Sequence, residues 1–403
     1  MKRIYPTIYI LSTLWASLMM MACSNVSDPE QPGSEGSFGK AFLSLKMNSL
    51  QNSSRAGEEL VDGDASENYI DFEGHDFEII LFDSSTGNYM TKIPGSALTK
   101  VIPNYNKGEY SIEVELSPEN LESLPSDISA WNFRVLILAN WNSAGVDYPT
   151  FDGKNISEAA ESNIWNERTA EFSYNPSAAG VSWYPSPAQY PMRLIPMTGT
   201  ATVSGFALDA DRNVRNREST AYMLRSLAKI SLEVSDDLFS KGFDIAECAI
   251  NIYNTTGLLI PDMTLTGNSG SQTGNFSINY PSCPDGVSTG SDLNFVNLGE
   301  EGGKNLWVAY IPEMNTEGFT TSSLDRPVIK ALPSISGEAY GDWRTIDLIE
   351  KNTSAAGGEK NLYQILRNNY YKCVVKAIEG TVNIQFTYTV CPWKTGDVNI
   401  DYH

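Results

Sequence analysis

Short runs that alternate apolar and polar residues recur along this chain, and that pattern limits the folds open to it. The segment EYSIEVEL at 109–116 alternates strictly, and WNFRVLILANW at 131–141 is a nearly continuous apolar run typical of a central strand. Turn-forming residues separate such runs, as SSTGN at 84–88 does between HDFEIILFD and YMTKI. The sequence therefore predicts an all-β protein.

Chain length predicts two domains of this kind in tandem. The chain has 403 residues, which exceeds one ordinary core, and strand-like segments continue in the same style from AECAINIYNTT onwards. We expect β-sandwich domains at 40–238 and 239–403, with short helical insertions such as one at SEAAESNIWNE, which starts at Ser157.

Charge and histidine content argue against several classes of function. The formal net charge of −21 disfavours nucleic acid and anionic lipid as partners, because both are negatively charged. The two histidines, His75 and His403, are far apart in sequence, which argues against a histidine-built metal site and against histidine-dependent catalysis. We predict no cofactor, no metal and no enzymatic activity.

The first residues are typical of an export signal. Lys2 and Arg3 precede a mostly apolar stretch, and the small Ala22 stands directly before Cys23. A transmembrane anchor is the alternative, but the stretch is short for a span and no charged stop follows it. The pair resembles the lipobox of bacterial lipoproteins, with Met20 where leucine is usual. This predicts a signal peptide at 1–22, an acylated Cys23 and a polar tether at 23–39.

Ordered sequence begins with a strand that has one apolar side. Ala41, Leu43, Leu45 and Met47 fall on that side, while Phe42, Ser44 and Lys46 fall on the other.

A polar linker follows this strand and contains one basic residue. Arg55 is the only lysine or arginine between Lys46 and Lys92, and it lies where a protease reaches extended backbone. The alternative is an ordinary arginine in a surface loop.

Two segments match chemical motifs only formally. GVSTG at 286–290 fits the nucleophile-elbow pattern, but it lies in a loop without the strand and helix that the motif needs. The segment starting at Asp209 resembles a calcium loop, but Val214 replaces its glycine and Thr220 its glutamate. No catalytic or metal-binding residue is assigned.

Four cysteines remain besides Cys23: Cys248, Cys283, Cys373 and Cys391. NNYYKCVVKAI and TVNIQFTYTVC are expected to form a hairpin through Glu379 and Gly380, which places Cys373 opposite Phe386 rather than Cys391. We expect isolated, reduced or buried cysteines.

Tryptophans suggest an alternative function. Trp131 and Trp307 lie in strand patterns and are expected in the core, whereas Trp183 in SWYPSP is the better candidate for an exposed ring. An exposed platform of this kind would make the chain a surface glycan-binding β-sandwich lipoprotein.

The order of these features resembles the fimbrillins, the FimA- and Mfa-like subunits of type V pili in anaerobic Gram-negative bacteria. The similarity runs from the lipobox cysteine and AFLSLKM through DFEIILFD, VLILANW, IPMTG and LRSLAKISLEV to the closing NNYYKCVVKAIEG and FTYTVCPW. It implies two tandem transthyretin-like β-sandwich domains and a structural role in adhesive fimbriae on the outer-membrane surface.

The resemblance also implies a route of assembly. Cys23 corresponds to the lipid site, and a trypsin-like surface protease would cut between Arg55 and Ala56, releasing residues 40–55 with the strand Ala41 to Met47. A strand from another fimbrillin subunit would then fill the emptied groove. Val398, Ile400 and Tyr402 alternate with polar residues in the C-terminal tail, which is a candidate donor strand or an edge strand of its own domain. A host or bacterial surface ligand would be a further partner.

Overall fold

The structure is a computed structural model of the chain. It describes residues 38–49, 69–104, 108–151, 153–155, 171–173, 194–260, 263–265, 276–278, 287–288, 292–299, 302–315, 327–347, 349–350, 360–361, 364–365, 367–379 and 383–392.

Strands dominate the described residues, which confirms the all-β prediction. In the first part of the chain they are β1 (Ala41–Ser49), β2 (Phe77–Asp83), β3 (Tyr89–Pro94), β4 (Leu98–Asn104), β5 (Glu109–Glu115), β6 (Phe133–Ala139), β7 (Glu171–Ser173), β8 (Met197–Val203), β9 (Ala207–Leu208), β10 (Val214–Arg215), β11 (Ser219–Arg225) and β12 (Leu227–Val234). The later ones are β13 (Phe243–Ile250), β14 (Tyr253–Asn254), β15 (Thr256–Leu258), β16 (Met263–Leu265), β17 (Phe276–Ile278), β18 (Val287–Ser288), β19 (Leu293–Asn294), β20 (Val296–Asn297), β21 (Trp307–Pro312), β22 (Met314–Asn315), β23 (Val328–Ile335), β24 (Glu338–Ala339), β25 (Arg344–Asp347), β26 (Ile349–Glu350), β27 (Lys360–Asn361), β28 (Gln364–Ile365), β29 (Asn369–Glu379) and β30 (Asn383–Pro392).

Two short α-helices interrupt the strands in the described ranges. The helix α1 (Pro118–Glu122) starts at Ser117, whose hydroxyl accepts a hydrogen bond from the N–H of Asn120 in a capping box. The helix α2 (Asp236–Ser240) starts at Ser235, whose hydroxyl accepts a hydrogen bond from the N–H of Leu238. The helix expected from Ser157 lies outside the described residues. No helix in the described ranges has both the length and the apolar character to cross a membrane.

The first sheet has ten strands. They follow one another in the order β3, β2, β6, β8, β11, β1, β10 and β9, while β5 pairs with both β1 and β4. The predicted β2–β3 hairpin is confirmed: Asp83 accepts the N–H groups of Ser85 and Thr86, and Gly87 has a φ of 68°.

Two five-stranded sheets lie in the later part of the chain. One has the order β20, β21, β12, β29, β30, and the other has the order β19, β13, β23, β24 with β25 also paired to β23. Every residue of β12 is buried. This strand precedes the predicted boundary at residue 238, yet both of its ladder partners, β21 and β29, follow it. The division into 40–238 and 239–403 stays a prediction.

One apolar cluster joins side chains from the three large sheets. It includes Ile80 and Leu136 from the first sheet, Ile230 from the second and Ile250 and Ile329 from the third. The strands β2 and β6 are buried on both faces, which explains their almost continuous apolar sequence.

The C-terminal hairpin has a register different from the predicted one. Cys373 lies opposite Tyr388, not Phe386, and Cys391 lies opposite Tyr370. Glu379 pairs with Asn383, so the connection is longer than expected and displaces the register by three residues; a bulge between Val375 and Ala377 then moves it back by one. The prediction that the two cysteines do not face each other is confirmed.

Candidate functional site

The first strand fills a groove in the first sheet and is paired along both of its edges. On one side, Phe42 to Asn48 run antiparallel to Glu115 to Glu109 of β5. On the other side, β1 runs parallel to β10 at Ala41 and Phe42 and parallel to β11 from Leu45 to Ser49. Both ladders join β1 to strands that lie far along the sequence, so the groove is built without the residues next to β1 in the chain.

The inward face of β1 is sealed from solvent. The predicted alternation is confirmed, and its four inward side chains have an exposed fraction of 0%; they are Ala41, Leu43, Leu45 and Met47. The neighbouring strand faces the same core with Ile112 and Val114, which are also buried. The groove is therefore lined by apolar side chains at alternate positions, as the period of two in a strand requires.

The outward face of β1 is covered at one end by an ionic group centred on Arg215. The Nε atom of Arg215 lies 2.8 Å from Oδ2 of Asp209, and Nη1 pairs with Glu113 on β5. The guanidinium carbon lies 4.2 Å from the ring centre of Phe42, which is 7% exposed. Lys40 pairs with Glu115 at 2.9 Å. Side chains from both neighbours of β1 thus meet across its outward face.

Two asparagines bind the backbone of β1 and of the residue just before it, where no strand lies beside them. Oδ1 of Asn213 accepts the N–H of Lys40 at 3.0 Å. Oδ1 of Asn216 accepts the N–H of Ser44 at 2.7 Å, and Nδ2 of Asn216 donates to the carbonyl of Ser44 at 2.9 Å. Sequence reasoning missed both residues, because an asparagine in a polar loop carries no signal of a distant backbone partner.

Several predicted site residues lie outside the described part of the chain. These are the lipid-attachment candidate Cys23, the cleavage pair Arg55 and Ala56, and the donor-strand candidates Val398, Ile400 and Tyr402.

The segment that begins at Asp209 forms a hairpin rather than a cation loop. Asp209 accepts the N–H groups of Asp211 and Asn213 and pairs with Arg215. The hydrogen bond from Asn213, followed by that from Arg215, holds the pKa of Asp209 below its usual value. In the described ranges, no group of three or more histidine, cysteine or acidic residues is placed to hold a metal ion. Of GVSTG, only Val287 and Ser288 are described, in β18.

A buried carboxylate near the end of the first sheet has a structural role. Asp76 is 4% exposed and accepts hydrogen bonds from the N–H of Asn142, from the N–H and hydroxyl of Ser143, and from the hydroxyl of Tyr148 at 2.8 Å. Burial is the main cause that raises the pKa of Tyr148, and the negative charge of Asp76 raises it further. These partners use the lone pairs of Asp76 to fix the loop that follows β6, so the group is arranged as an anchor rather than as a proton-transfer site.

The described tryptophans are divided between core and surface. Trp131 is 3% exposed and donates its indole N–H to the carbonyl of Pro125, which confirms its place in the core. Trp307 is partly buried and donates to the carbonyl of Ile245. Trp343 is 44% exposed. Trp183, the residue on which the glycan-binding alternative rests, lies outside the described residues.

Two of the cysteines have reduced, buried thiols. Cys248 and Cys373 are both free and buried in the shared apolar cluster, as the sequence predicts. Burial raises the pKa of Cys373 to about 12 and also raises that of Cys248.

No family model matches the chain, and no curated protein is similar to it in sequence. Solved structures similar to it include the tip fimbrial protein Mfa3 from Porphyromonas gingivalis with a C-terminal truncation, which is 13% identical with a TM-score of 0.47. That alignment covers 88% of this chain and 100% of the Mfa3 chain. The solved structures that match include fimbrial proteins and proteins described as putative cell adhesion proteins.

Two further solved structures are similar to the chain. A fimbrial assembly protein from Parabacteroides distasonis is 14% identical, with a TM-score of 0.42, and the alignment covers 88% of this chain and 100% of that one. The fimbrilin FimA from Porphyromonas gingivalis is 14% identical, with a TM-score of 0.39, and the alignment covers 89% of this chain and 99% of FimA.

Proposed function

We propose that this chain is a structural subunit of a cell-surface fimbria that polymerises by exchange of its first strand. In this proposal the chain is exported as a lipoprotein through Cys23 and carried to the outer surface of the outer membrane. A trypsin-like protease cuts after Arg55, and a strand from another subunit enters the groove that β1 leaves. The resulting fibre contributes to cell adhesion.

The observation that carries the proposal is the position of β1. The strand lies inside the first sheet, not at its edge, with β5 on one side and β10 and β11 on the other. A strand at the edge of a sheet leaves little behind when it is removed, whereas an interior strand leaves two unpaired edges and an open core. Exchange of β1 would therefore create a strong binding site for another strand.

The groove's apolar lining supplies most of the attraction. Leu43, Leu45 and Met47 are each fully buried, and burying a side chain of this size contributes about 1.5–3 kcal/mol. Together they give roughly 5–9 kcal/mol as an upper estimate, since an unfolded chain already hides part of its apolar surface. Backbone hydrogen bonds to β5 and β11 add to this and make the site selective for an extended segment.

The C-terminal tail has a sequence that fits the inward positions of β1 when read in the same direction. The matched pairs are Gly396 with Ala41, Val398 with Leu43, Ile400 with Leu45 and Tyr402 with Met47. The small Gly396 would take the place of the small Ala41, and the three larger inward side chains of β1 would each be replaced by a large side chain of the tail. This match supports the tail as the donor strand, because alternate side chains decide which register a groove accepts.

The location of Arg55 supports the cut. It lies between β1 and the next described segment, which starts at residue 69. Cleavage there separates β1, together with the anchored Cys23, from all strands that form the groove.

The test is limited cleavage of the full chain by an arginine-specific protease, followed by N-terminal sequencing and gel analysis without boiling. A new N-terminus at Ala56 together with detergent-resistant oligomers is the expected result. The matched control is Arg55→Ala, which should remain uncut at this site and monomeric under the same conditions. A chain that is cleanly cut at Ala56, loses residues 40–55 and still stays monomeric would overturn the proposal. Polysaccharide binding by such a monomer would favour the glycan-binding alternative instead.

A further inference from the structure

The ladder between β1 and its parallel neighbours is interrupted at one point. Phe42 lies opposite Arg215 of β10, and Leu45 lies opposite Ser219 of β11. Three residues, 216–218, therefore face two residues of β1, and backbone pairing cannot continue through this bulge. Ser44 is the residue of β1 whose backbone groups point into the gap.

The side chain of Asn216 closes this gap. Its amide accepts from the N–H of Ser44 and donates to the carbonyl of the same residue, which reproduces the two hydrogen bonds that a neighbouring strand would make. The amide also donates to the carbonyl of Arg217 at 2.7 Å, which fixes its orientation. Asn216 is 7% exposed, so water competes little for these bonds.

We infer that Asn216 recognises the main chain of whichever strand occupies the groove. It binds the N–H and the C=O of the residue at the position of Ser44. This inference rests on the proposed exchange of β1 and adds a residue that selects the incoming strand. The contact involves main-chain atoms, so the side chain of the incoming residue is free to vary. Proline is excluded at that position because it has no N–H.

The surroundings of Ser44 agree with a site that recognises the main chain of the strand rather than the side chain at this position. The Ser44 side chain points outward and is only partly buried, with its hydroxyl 3.5 Å from a carboxylate oxygen of Glu113. The apolar side chains on either side point the other way, into the core. The apolar positions thus select the side chains of a donor strand, and Asn216 selects its backbone.

The first experiment uses the intact chain and does not depend on strand exchange. In Asn216→Ala, hydrogen exchange at the amide of Ser44 should accelerate about 10-fold or more, while exchange at Leu45 stays unchanged because its N–H turns towards β5. The matched control is Asn104→Ala, an exposed asparagine of the edge strand β4. An unchanged exchange rate at Ser44 in Asn216→Ala would overturn the inference.

The second experiment tests selection of an incoming strand. A protease site is built into the 50–68 linker of the full chain, the chain is cut, and labelled peptides of residues 38–49 compete for the groove. One peptide carries an ester in place of the Ser44 amide, which removes its N–H. It should bind the wild type about 5-fold more weakly than the amide peptide does, and this difference between the two peptides should be smaller in Asn216→Ala.

The outcomes separate the two proposals. An ester penalty that is as large in Asn216→Ala as in the wild type would refute the role of Asn216, and a smaller penalty supports it. An ester at Leu45 should weaken binding equally in both proteins. If no peptide enters the cut wild-type chain, strand exchange fails as a mechanism, and the exchange rate at Ser44 in the intact chain still decides the role of Asn216.

Discussion

Replacing Leu45 by alanine tests how strongly the first strand is held. Leu45 is fully buried at the centre of β1, opposite Ile112 on one side and Ser219 on the other. Truncating a leucine in such a site costs about 2–5 kcal/mol, because the transfer free energy is lost and a cavity remains. We expect Leu45→Ala to lower the free energy of unfolding by this amount.

The adjacent residue offers a matched control. Lys46 lies on the outward face, and its ammonium is 3.8 Å from a carboxylate of Glu109 with both side chains more than a third exposed. Because exposed ion pairs contribute little, Lys46→Ala should change the free energy of unfolding by about 0.5 kcal/mol or less. Urea unfolding followed by tryptophan fluorescence measures both variants under the same conditions.

Leu45→Ala has a second readout after the linker at 50–68 is cut. A loss of about 2–5 kcal/mol corresponds to a strand that is held roughly 30- to 4,000-fold more weakly. The nicked Leu45→Ala protein should therefore release its strand and form oligomers faster than the nicked wild type. Equal unfolding midpoints for Leu45→Ala and Lys46→Ala would refute this reasoning, since inward burial would then not be what retains β1.

Three further predictions concern the rest of the molecule. Glu313→Gln should lower the free energy of unfolding by about 3–5 kcal/mol, because Arg367 has a fully buried side chain that donates to both carboxylate oxygens, at 2.9 and 2.6 Å; chemical denaturation measures this. Glu78→Gln should stabilise the chain at pH 7. Burial raises the pKa of Glu78, although Lys92 acts in the opposite direction, so the native state favours the protonated carboxyl. The stability that the protonated carboxyl contributes is therefore complete at low pH and is lost as the pH rises through the raised pKa. The gain from Gln should therefore shrink in melts at acidic pH, and a gain that grows on acidification would contradict it. The thiols of Cys248 and Cys373 should resist a thiol reagent at pH 8 until denaturant is added, as mapped by mass spectrometry, because burial raises both pKa values; labelling of either thiol in the native protein would count against their burial.

Local patterns in the sequence were sufficient to predict individual strands. The alternation of Leu43, Leu45 and Met47 predicted both the strand and its buried face, because side-chain direction in a strand depends only on the period of two. The hairpin between β2 and β3 was predictable for a similar reason: its turn residues, including Gly87, are adjacent in the chain.

Partners were not predictable in the same way. The segment that forms β12 looks like a strand, but nothing in its residues says that β29 pairs with it in parallel from more than a hundred positions away. The predicted register of the C-terminal hairpin was wrong because neither the longer connection after Glu379 nor the bulge between Val375 and Ala377, which offsets it in part, leaves a mark in the apolar pattern.

Polar contacts between distant residues, in the candidate site and elsewhere, were hidden for a physical reason. Asn216 and Ser44 are 172 positions apart, and Arg367 reaches Glu313 across 54 positions. A hydrogen bond between a side chain and a distant backbone needs one donor and one acceptor but no periodicity, so it produces no pattern in a single sequence. Such residues become visible only when the fold brings them together.

The position of β1 has a consequence for how the chain reaches its native state. The strand is synthesised before any of its partners: Tyr110 of β5 pairs with Met47 and lies 63 positions later, while Ala221 of β11 lies 174 positions later. Closing contacts over such separations is slow, since the entropy of a large loop is lost before the pairing is gained. The groove therefore completes late and stays open for a time during folding. In that interval the chain's own N-terminal strand competes with strands from neighbouring chains, and its covalent attachment gives it a higher effective concentration at the groove than a strand of any other chain has.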